Sequence, residues 1–390
     1  MGGALIKRTP RGCGTSRTGV VATAFVVLAC AGGPAAESST SQWILTEVAR
    51  YGGAEEGLAS FNVVLDLQFA HDASLWVLDG QTQTIRRFDA GSGAATLVAG
   101  RGKGPGELEM ANGVRRAPDG EMWARDFGNN RLSRYTSDGR FRGQHILPPH
   151  SYEYRWGATV DSSGRVIDLL YVPDADSMKR AIVSFGADGS APDTSDFPLA
   201  CSDVPPAVPN IPGRDGGFVS LPYAADLLVR LSAQGELWCG RSDQYAFRRF
   251  QRVRASHVAQ VSSDSATVPV SEAARDSAIA TTEEELRRIG GPATPWNHDL
   301  VPRTRPAIRS LATDDEDRLW VLRDRVDGSV GFDVWDSEGR RLATAEIPPS
   351  LRPASTFRVH RGKLAIIVRD QDDVPSVAIF SVSPAPVNRD

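Results

Sequence analysis

The sequence predicts an all-β chain, a six-bladed β-propeller with a short helical insertion between blades four and five. Three observations predict it: one unit recurs six times, its undisturbed spacing is 44 to 47 residues, and turn-forming residues are abundant. Gly numbers 37 and Pro 25 among 390 residues, a frequency suited to a chain that turns often and foreign to a helical bundle.

The copies align by eye. HDASLWVLDGQTQTIRRFD, from His71, superposes without gaps on PDGEMWARDFGNNRLSRYT, from Pro118, placing Trp76 on Trp123, Asp79 on Asp126, Ile85 on Leu132, Arg87 on Arg134 and Phe88 on Tyr135. The same ruler sets Gly235, Leu237, Trp238, Phe247, Arg249 and Phe250 on Gly120, Met122, Trp123, Leu132, Arg134 and Tyr135. Weaker copies surround Ile167, Trp320 and Ala365. Each copy runs through a Gly or Asp turn into a strand carrying Leu-Trp, then into a strand ending in an aromatic, which is the grammar of a β-meander. Turn anchors at Ala73, Gly120, Gly164, Gly235, Asp317 and Gly362 are 47, 44, 71, 82 and 45 residues apart, so two intervals carry insertions. A meander cannot bury its faces alone, and radial repetition supplies a neighbour on each side with few exposed edges. The early strand WILTEVARYGG, from Trp43, is expected to complete the sixth blade and close the ring.

The stretch GRGKGPGELEMANGVRRAPDGEMWARDFGNNRLSRYTSDGRF, Gly100 to Phe141, resembles the NHL-type repeat in its order of Gly-rich link, Asp-Gly turn, aromatic strand and Asn-Asn-Arg. From Trp43 onward the chain is similar to bacterial six-bladed propeller lipoproteins of NHL type. Asn-Asn-Arg is intact only in the second copy, and copies three and six lack the tryptophan.

At the N-terminus, Lys7, Arg8, Arg11 and Arg17 precede the apolar run Val20–Ala29, too short to span a bilayer and of the size of a signal-peptide core. Val27-Leu28-Ala29-Cys30 resembles a lipobox, in which the Cys30 thiol accepts a diacylglycerol. The alternative is secretory cleavage near Ala35-Ala36 with Cys30 discarded. Residues 1–29 therefore read as a lipoprotein signal peptide, 30–42 as a flexible tether and 43–390 as the propeller. The address implied is the bacterial envelope, lipid-anchored, on the outer membrane in a Gram-negative cell, with a periplasmic or secreted protein as the alternative. Between about 252 and 305 the pattern turns helical: Thr282-Glu283-Glu284-Glu285 reads as a capping box, Arg287 and Arg288 suit the helix C-terminus, and Gly290-Gly291 stop it. A helical pair across one face of the ring is expected, as cover or as lid.

Without its first 29 residues the chain has 40 basic and 48 acidic residues, a balance that disfavours nucleic acid. No cofactor is predicted. Six histidines show no metal-ligand spacing, and His71 and His360 fall on turns where solvent is expected. GRGKGPGEL lacks the Lys-Ser or Lys-Thr of a phosphate loop and reads as a crossing between blades. Arginines at 86–87, 115–116, 131 with 134, and 248–249 recur with the repeat and read as strand-surface charge paired with Asp79 or Asp126. Cys201 and Cys239 are the two cysteines of the exported part, and an oxidising envelope allows them to pair.

Counting back from the turn anchors puts Leu65, Asn112, Trp156, Leu227, Arg309 and Ala354 at the starts of innermost strands, flanked by Arg155 and Asp226. Asn112, Arg155, Trp156, Asp226 and Arg309 are thereby the candidate ligand-binding residues at a channel mouth, with the two arginines favouring a carboxylate or phosphate and Trp156 offering a stacking face. The other reading of this set is a solvated plug. Two functions follow: an envelope propeller that binds a protein or a small anionic ligand, or a metal-dependent enzyme of lactonase or lyase type holding Ca or Zn at the channel.

Overall fold

A computed structural model describes residues 41–53, 56–147, 156–174, 177–186, 192–196, 201, 210–251, 254–262 and 267–385. The signal peptide, Cys30 and Arg155 lie outside the described residues. Among the described residues the chain is all-β apart from one 17-residue α-helix, a 3-10 turn and a helical position at Cys201, and its small sheets form a propeller-like arrangement.

Strand β1 (Ser41–Gly52) comes first, and four separate four-stranded antiparallel sheets follow in chain order. The first holds β2 (Val64–Phe69), β3 (Leu75–Asp79), β4 (Thr84–Phe88) and β5 (Ala95–Ala99); the second holds β6 (Ala111–Arg116), β7 (Met122–Asp126), β8 (Arg131–Tyr135) and β9 (Phe141–Ile146). The third comprises β10 (Thr159–Val160), β11 (Arg165–Asp174), β12 (Ser177–Gly186) and β13 (Asp193–Asp196). A hairpin, β14 (Asn210–Pro212) with β15 (Phe218–Ser220), precedes the fourth sheet of β16 (Leu227–Leu231), β17 (Leu237–Arg241), β18 (Ala246–Gln251) and β19 (Arg254–Ser262). Next come β20 (Thr267–Pro269), helix α1 (Glu272–Arg288) and β21 (Thr304–Pro306), which pairs back on β20. The last sheet has eight strands: β22 (Ile308–Thr313), β23 (Leu319–Asp324), β24 (Val330–Trp335) and β25 (Arg341–Glu346) on one side, and β26 (Arg352–His360), β27 (Lys363–Arg369) and β28 (Pro375–Pro384) on the other. Between the halves lies β1, antiparallel to β28 from Trp43–Pro384 to Gly52–Ser376 and parallel to β25 over Ser41–Trp43.

The repeat read from the sequence is visible in backbone and register. All six turn anchors, Ala73, Gly120, Gly164, Gly235, Asp317 and Gly362, have positive φ, between 61° and 90°. Only glycine enters that region freely, so Ala73 and Asp317 hold a conformation that costs an L-residue roughly 1 kcal/mol or more. Across the first two strands the pairs Gln68–Trp76, Arg115–Trp123, Thr159–Ile167, Arg230–Trp238, Ala312–Trp320 and Arg358–Ala365 are equivalent. The copies that lost the tryptophan keep its register.

Second strands β3, β7 and β23 are buried along their whole length, on both faces, whereas β9 is largely exposed. Sheets flanked on both sides explain this. Trp76 packs with Val114, Met122 and Tyr135; Trp123 with Val160, Val166 and Phe185; Trp238 with Leu311, Leu319 and Val321; Trp320 with Phe357, Leu364 and Phe380. Ile167 and Ile182 meet Val229 and Leu237, while Ile367 and Ile379 meet Phe69 and Val77. Each of these six clusters thus joins consecutive sheet units, and the last returns to the first. Burial of these aromatic rings, each removing on the order of 150–250 Å² from water, is the main cohesion between units.

The insertion differs from the expected helical pair: among its described residues one 17-residue helix is present, with a 3-10 turn at His298–Leu300. Its N-cap is Ser271, whose side chain accepts from Ala274 N; Thr282 lies inside the helix and donates its hydroxyl to Ala278 O at 2.9 Å. A Thr three residues before a Glu resembles a capping box wherever it falls, and Ser271 starts the helix about three turns earlier. Arg287, Arg288 and the glycines end it as expected. Ile279 and Leu286 pack with Ile211, Val219 and Leu221, so the insertions before and after the fourth sheet share one small core.

Candidate functional site

Innermost strands of such an arrangement have an unpaired edge, and their carbonyl and N–H groups need partners. Arginines supply many of them. Arg115 Nε donates to Ala158 O at 2.6 Å and its Nη1 to Val114 O at 2.6 Å, with Nη2 on Trp156 O. Arg230 Nε donates to Leu311 O and Nη1 to Val229 O, both at 2.7 Å, with Nη2 3.2 Å from Ser310 Oγ. Arg358 Nη1 donates to Phe357 O at 2.8 Å.

These three side chains line a central cavity of about 550 Å³, together with Asp66, Gln68, Arg116, Trp156, Thr159, Asp315 and Thr356 among others. Gln68, Arg115, Thr159, Arg230 and Ala312 each stand five residues before their turn anchor, and Arg358 holds the matching register position. Asp66 is buried at 4% exposure; its Oδ2 accepts from Arg115 Nη1 at 2.5 Å and Val114 N at 3.1 Å, its Oδ1 from Arg358 Nη2 at 2.6 Å and Leu67 N at 2.9 Å. Burial pushes its carboxyl upward, but Arg115, Arg358 and the Val114 N–H outweigh it and hold it below the ordinary value. Asp168, by contrast, is pushed up, because burial outweighs Arg125, the Leu169 N–H and the Trp156 indole.

Of the four expected mouth residues that are described, the cavity takes one. Trp156 lines it, but its ring is 1% exposed, covered by Arg115 at 5.4 Å, and its Nε1 donates to Asp168 at 2.9 Å, so it presents no stacking face. Asn112, Asp226 and Arg309 are not in the cavity wall. Register shifts at Ala111/Gly113 and Ile308/Ser310 make Asn112 and Arg309 bulge residues, and a third shift at Val64/Asp66 does the same to Leu65. A bulge re-aims the side chain that strict alternation would have sent elsewhere. Asn112 O accepts from Trp156 N, Arg309 binds Asp324 at 2.5 Å and Pro353 O at 2.8 Å, and the Asp226 carboxylate accepts from Leu227 N at 2.7 Å; these are stitches within and between units.

Other expectations change as well. Asp79 and Asp126 keep the expected ion pairs, with Arg86 at 3.8 Å and Arg131 at 4.0 Å, but they hydrogen-bond the N–H groups of Asn62 and Val63, and of Glu109 and Met110, tying each second strand to the preceding link. Arg115 is an Asp66 partner, not surface charge, and Arg87, Arg134 and Arg249 pair with the turn acids Asp72, Glu121 and Glu236. His360 is buried and bonded to Asp315 at 2.7 Å instead of solvated. The glycine-rich link is a self-satisfied crossing in which Glu107 accepts from Gly104 N at 2.7 Å and Arg131 binds the carbonyls of Gly104 and Glu107. Cys201 and Cys239 are joined by a disulfide with Cα atoms 5.9 Å apart, closing a loop that contains the β14–β15 hairpin. Among the described residues no three His, Cys, Asp or Glu side chains gather as a metal site, and no helix is long and apolar enough to cross a membrane.

No protein-family model matches the chain, and no curated protein matches it. Among solved structures it is similar to a member of the DUF4221 family from Bacteroides vulgatus, at 10% identity and TM-score 0.52, over 89% of this chain and 100% of that one. It is similar also to a protein described as exported from Bacteroides fragilis, at 13% identity and TM-score 0.50, over 88% and 96%. The likeness shows the fold alone. A catalytically inactive virginiamycin B lyase from Staphylococcus aureus, solved with quinupristin, stands further off at 14% identity and TM-score 0.42, over 88% and 96%.

Proposed function

We propose that the chain is an exported six-bladed propeller, held in the bacterial envelope by a lipid on Cys30, whose central cavity binds a small anionic ligand. The count of six takes the eight-stranded sheet as two blades joined edge to edge through β1, a reading supported by six equivalent register pairs and by six clusters joining consecutive units. The observation that carries the ligand reading is the convergence of Arg115, Arg230 and Arg358, from three different innermost strands, on one cavity of about 550 Å³. Guanidinium groups fixed by backbone carbonyls are preorganised for carboxylate or phosphate. The cavity's own carboxylates are already committed: Asp66 to two arginines, Asp314 to Arg318 and the Trp320 indole, Asp315 to His360. A metal-dependent reaction would need donors that these contacts occupy.

Isothermal titration at low ionic strength with citrate and with inorganic phosphate tests the reading. At least one is expected to bind with submillimolar Kd, and Arg230→Ala is expected to weaken it about tenfold, the loss of one charge-assisted contact. Absence of binding by either anion, or stoichiometric Ca or Zn in the purified protein, would favour the enzyme reading instead. For the address, labelled fatty acid is expected in the wild type and absent from Cys30→Ser, with the variant recovered as a folded soluble domain; equal labelling would refute lipidation.

A further inference from the structure

In the cavity wall, charged side chains from opposite parts of the chain meet. Arg116 closes β6, Asp315 lies in the turn after β22, and His360 closes β26. Arg116 Nη1 lies 3.0 and 2.9 Å from the two ring nitrogens of His360, and its Nη2 is 3.5 Å from Asp315 Oδ1. Asp315 Oδ1 is also 2.7 Å from His360 Nδ1, and its Oδ2 accepts from Arg361 N at 2.8 Å. Arg361 in turn donates to His71 O at 3.1 Å, so turns from the first and last repeats join the cluster. Arg116, Asp315 and His71 all belong to the cavity wall.

This arrangement allows an exchange without leaving a charge stranded. If an anion takes Arg116, Asp315 still has the Arg361 N–H and the His360 imidazole, while Arg116 trades one carboxylate for another. Breaking a part-buried ion pair is expensive chiefly when one partner is left uncompensated, and here neither is. A neutral ligand offers no replacement, so the same contact discriminates against it. The Asp315 side chain is one-third exposed, which makes it replaceable without a cavity in the core.

We propose that Asp315 is a specificity-determining residue of the cavity: an internal carboxylate that occupies Arg116 and that an anionic ligand replaces. The inference rests on the reading of the cavity as an anion site. His360 and the Arg361 amide position Asp315 in its resting contact, and Arg116 is the group the ligand gains.

Citrate titrations of the full chain, its Asp315→Asn and Arg116→Ala variants and the double variant test it. Asp315→Asn keeps the shape and removes the competitor, so citrate is expected to bind about fivefold tighter than to wild type. Arg116→Ala is expected to weaken binding, and adding Asp315→Asn to it is expected to change the Kd less than twofold. Such non-additivity is the mark of two groups acting on one contact. Equal tightening in both backgrounds would mean that Asp315 acts only through its general field, and would overturn the proposal. So would an unchanged Kd in Asp315→Asn when wild type binds. Should the amide disturb the turn, Asp315→Ser removes the same charge and the same outcomes apply. If neither citrate nor phosphate binds wild type at all, the anion reading of the cavity falls first and this proposal with it.

Discussion

Deleting residues 43–50 is expected to abolish the cooperative melting transition or lower Tm by more than about 15 °C, while deleting residues 31–38 of the proposed tether is expected to change it little. The strand removed is not a core strand: most of β1 is exposed or half-buried. Its contribution is the ladder it makes. Pairing with β28 runs from Trp43 to Gly52, interrupted by one register shift between Glu47 and Ala49, and three residues add parallel pairing to β25. Net values of about 0.5–1.5 kcal/mol per hydrogen bond make such a ladder comparable to the whole stability of a typical domain, 5–15 kcal/mol. Side chains add to it, with Trp43 against Trp320 at 5.6 Å and beneath Arg318 at 5.2 Å. Without β1 the outer edge of β28 is bare, and the two halves of the eight-stranded sheet lose the strand that holds them together. Differential scanning calorimetry of both deletions measures the effect, and an unchanged Tm in the first would show that β1 does not hold the ring closed.

That strand is legible in the amino-acid sequence because repeat spacing leaves the last unit one strand short. So are the turn anchors, whose Gly and Asp residues mark a local backbone need, and the Leu-Trp register, which local pattern fixes. The helix start is not: Thr282 with Glu285 imitates a cap, and only tertiary burial of Ile279 along with Leu286 shows that the helix begins at Ser271. The cavity is half legible. Arg115 and Arg230 stand at one repeat position, five residues before Gly120 and Gly235, and that recurrence is plain in the sequence. Strict alternation counts to the strand starts instead, where a bulge turns the Arg309 side chain to Asp324 and Pro353 O and Asn112 stitches through its backbone carbonyl. Asp66 has no such signal, since its partners Arg115 and Arg358 lie 49 and 292 residues away and recur in no motif with it.

Asp66→Ala is expected to cost about 3–5 kcal/mol, the range for removing one partner from a buried charge cluster. Both carboxylate oxygens are in use, each accepting from one guanidinium and one backbone N–H. Removal leaves Arg115 and Arg358 as neighbouring like charges and takes the carboxylate acceptor from the N–H groups of Leu67 and Val114. Asp66→Asn keeps the shape but is expected to recover only part of the loss, because an amide offers one acceptor oxygen to four donors. The pH dependence separates this account from simple cavity formation. The folded carboxyl lies below its ordinary 3.8, held there by Arg115 and Arg358 against the opposing effect of burial. A depressed carboxyl gives its full stabilisation above the unfolded value and loses it as pH falls through the folded one. The stability gap between wild type and Asp66→Asn, measured by urea unfolding, is therefore expected to be constant from pH 8 to about pH 5 and to narrow below about pH 4. A gap that stays the same down to pH 3 would mean that the ion pairs contribute nothing and that only packing was lost.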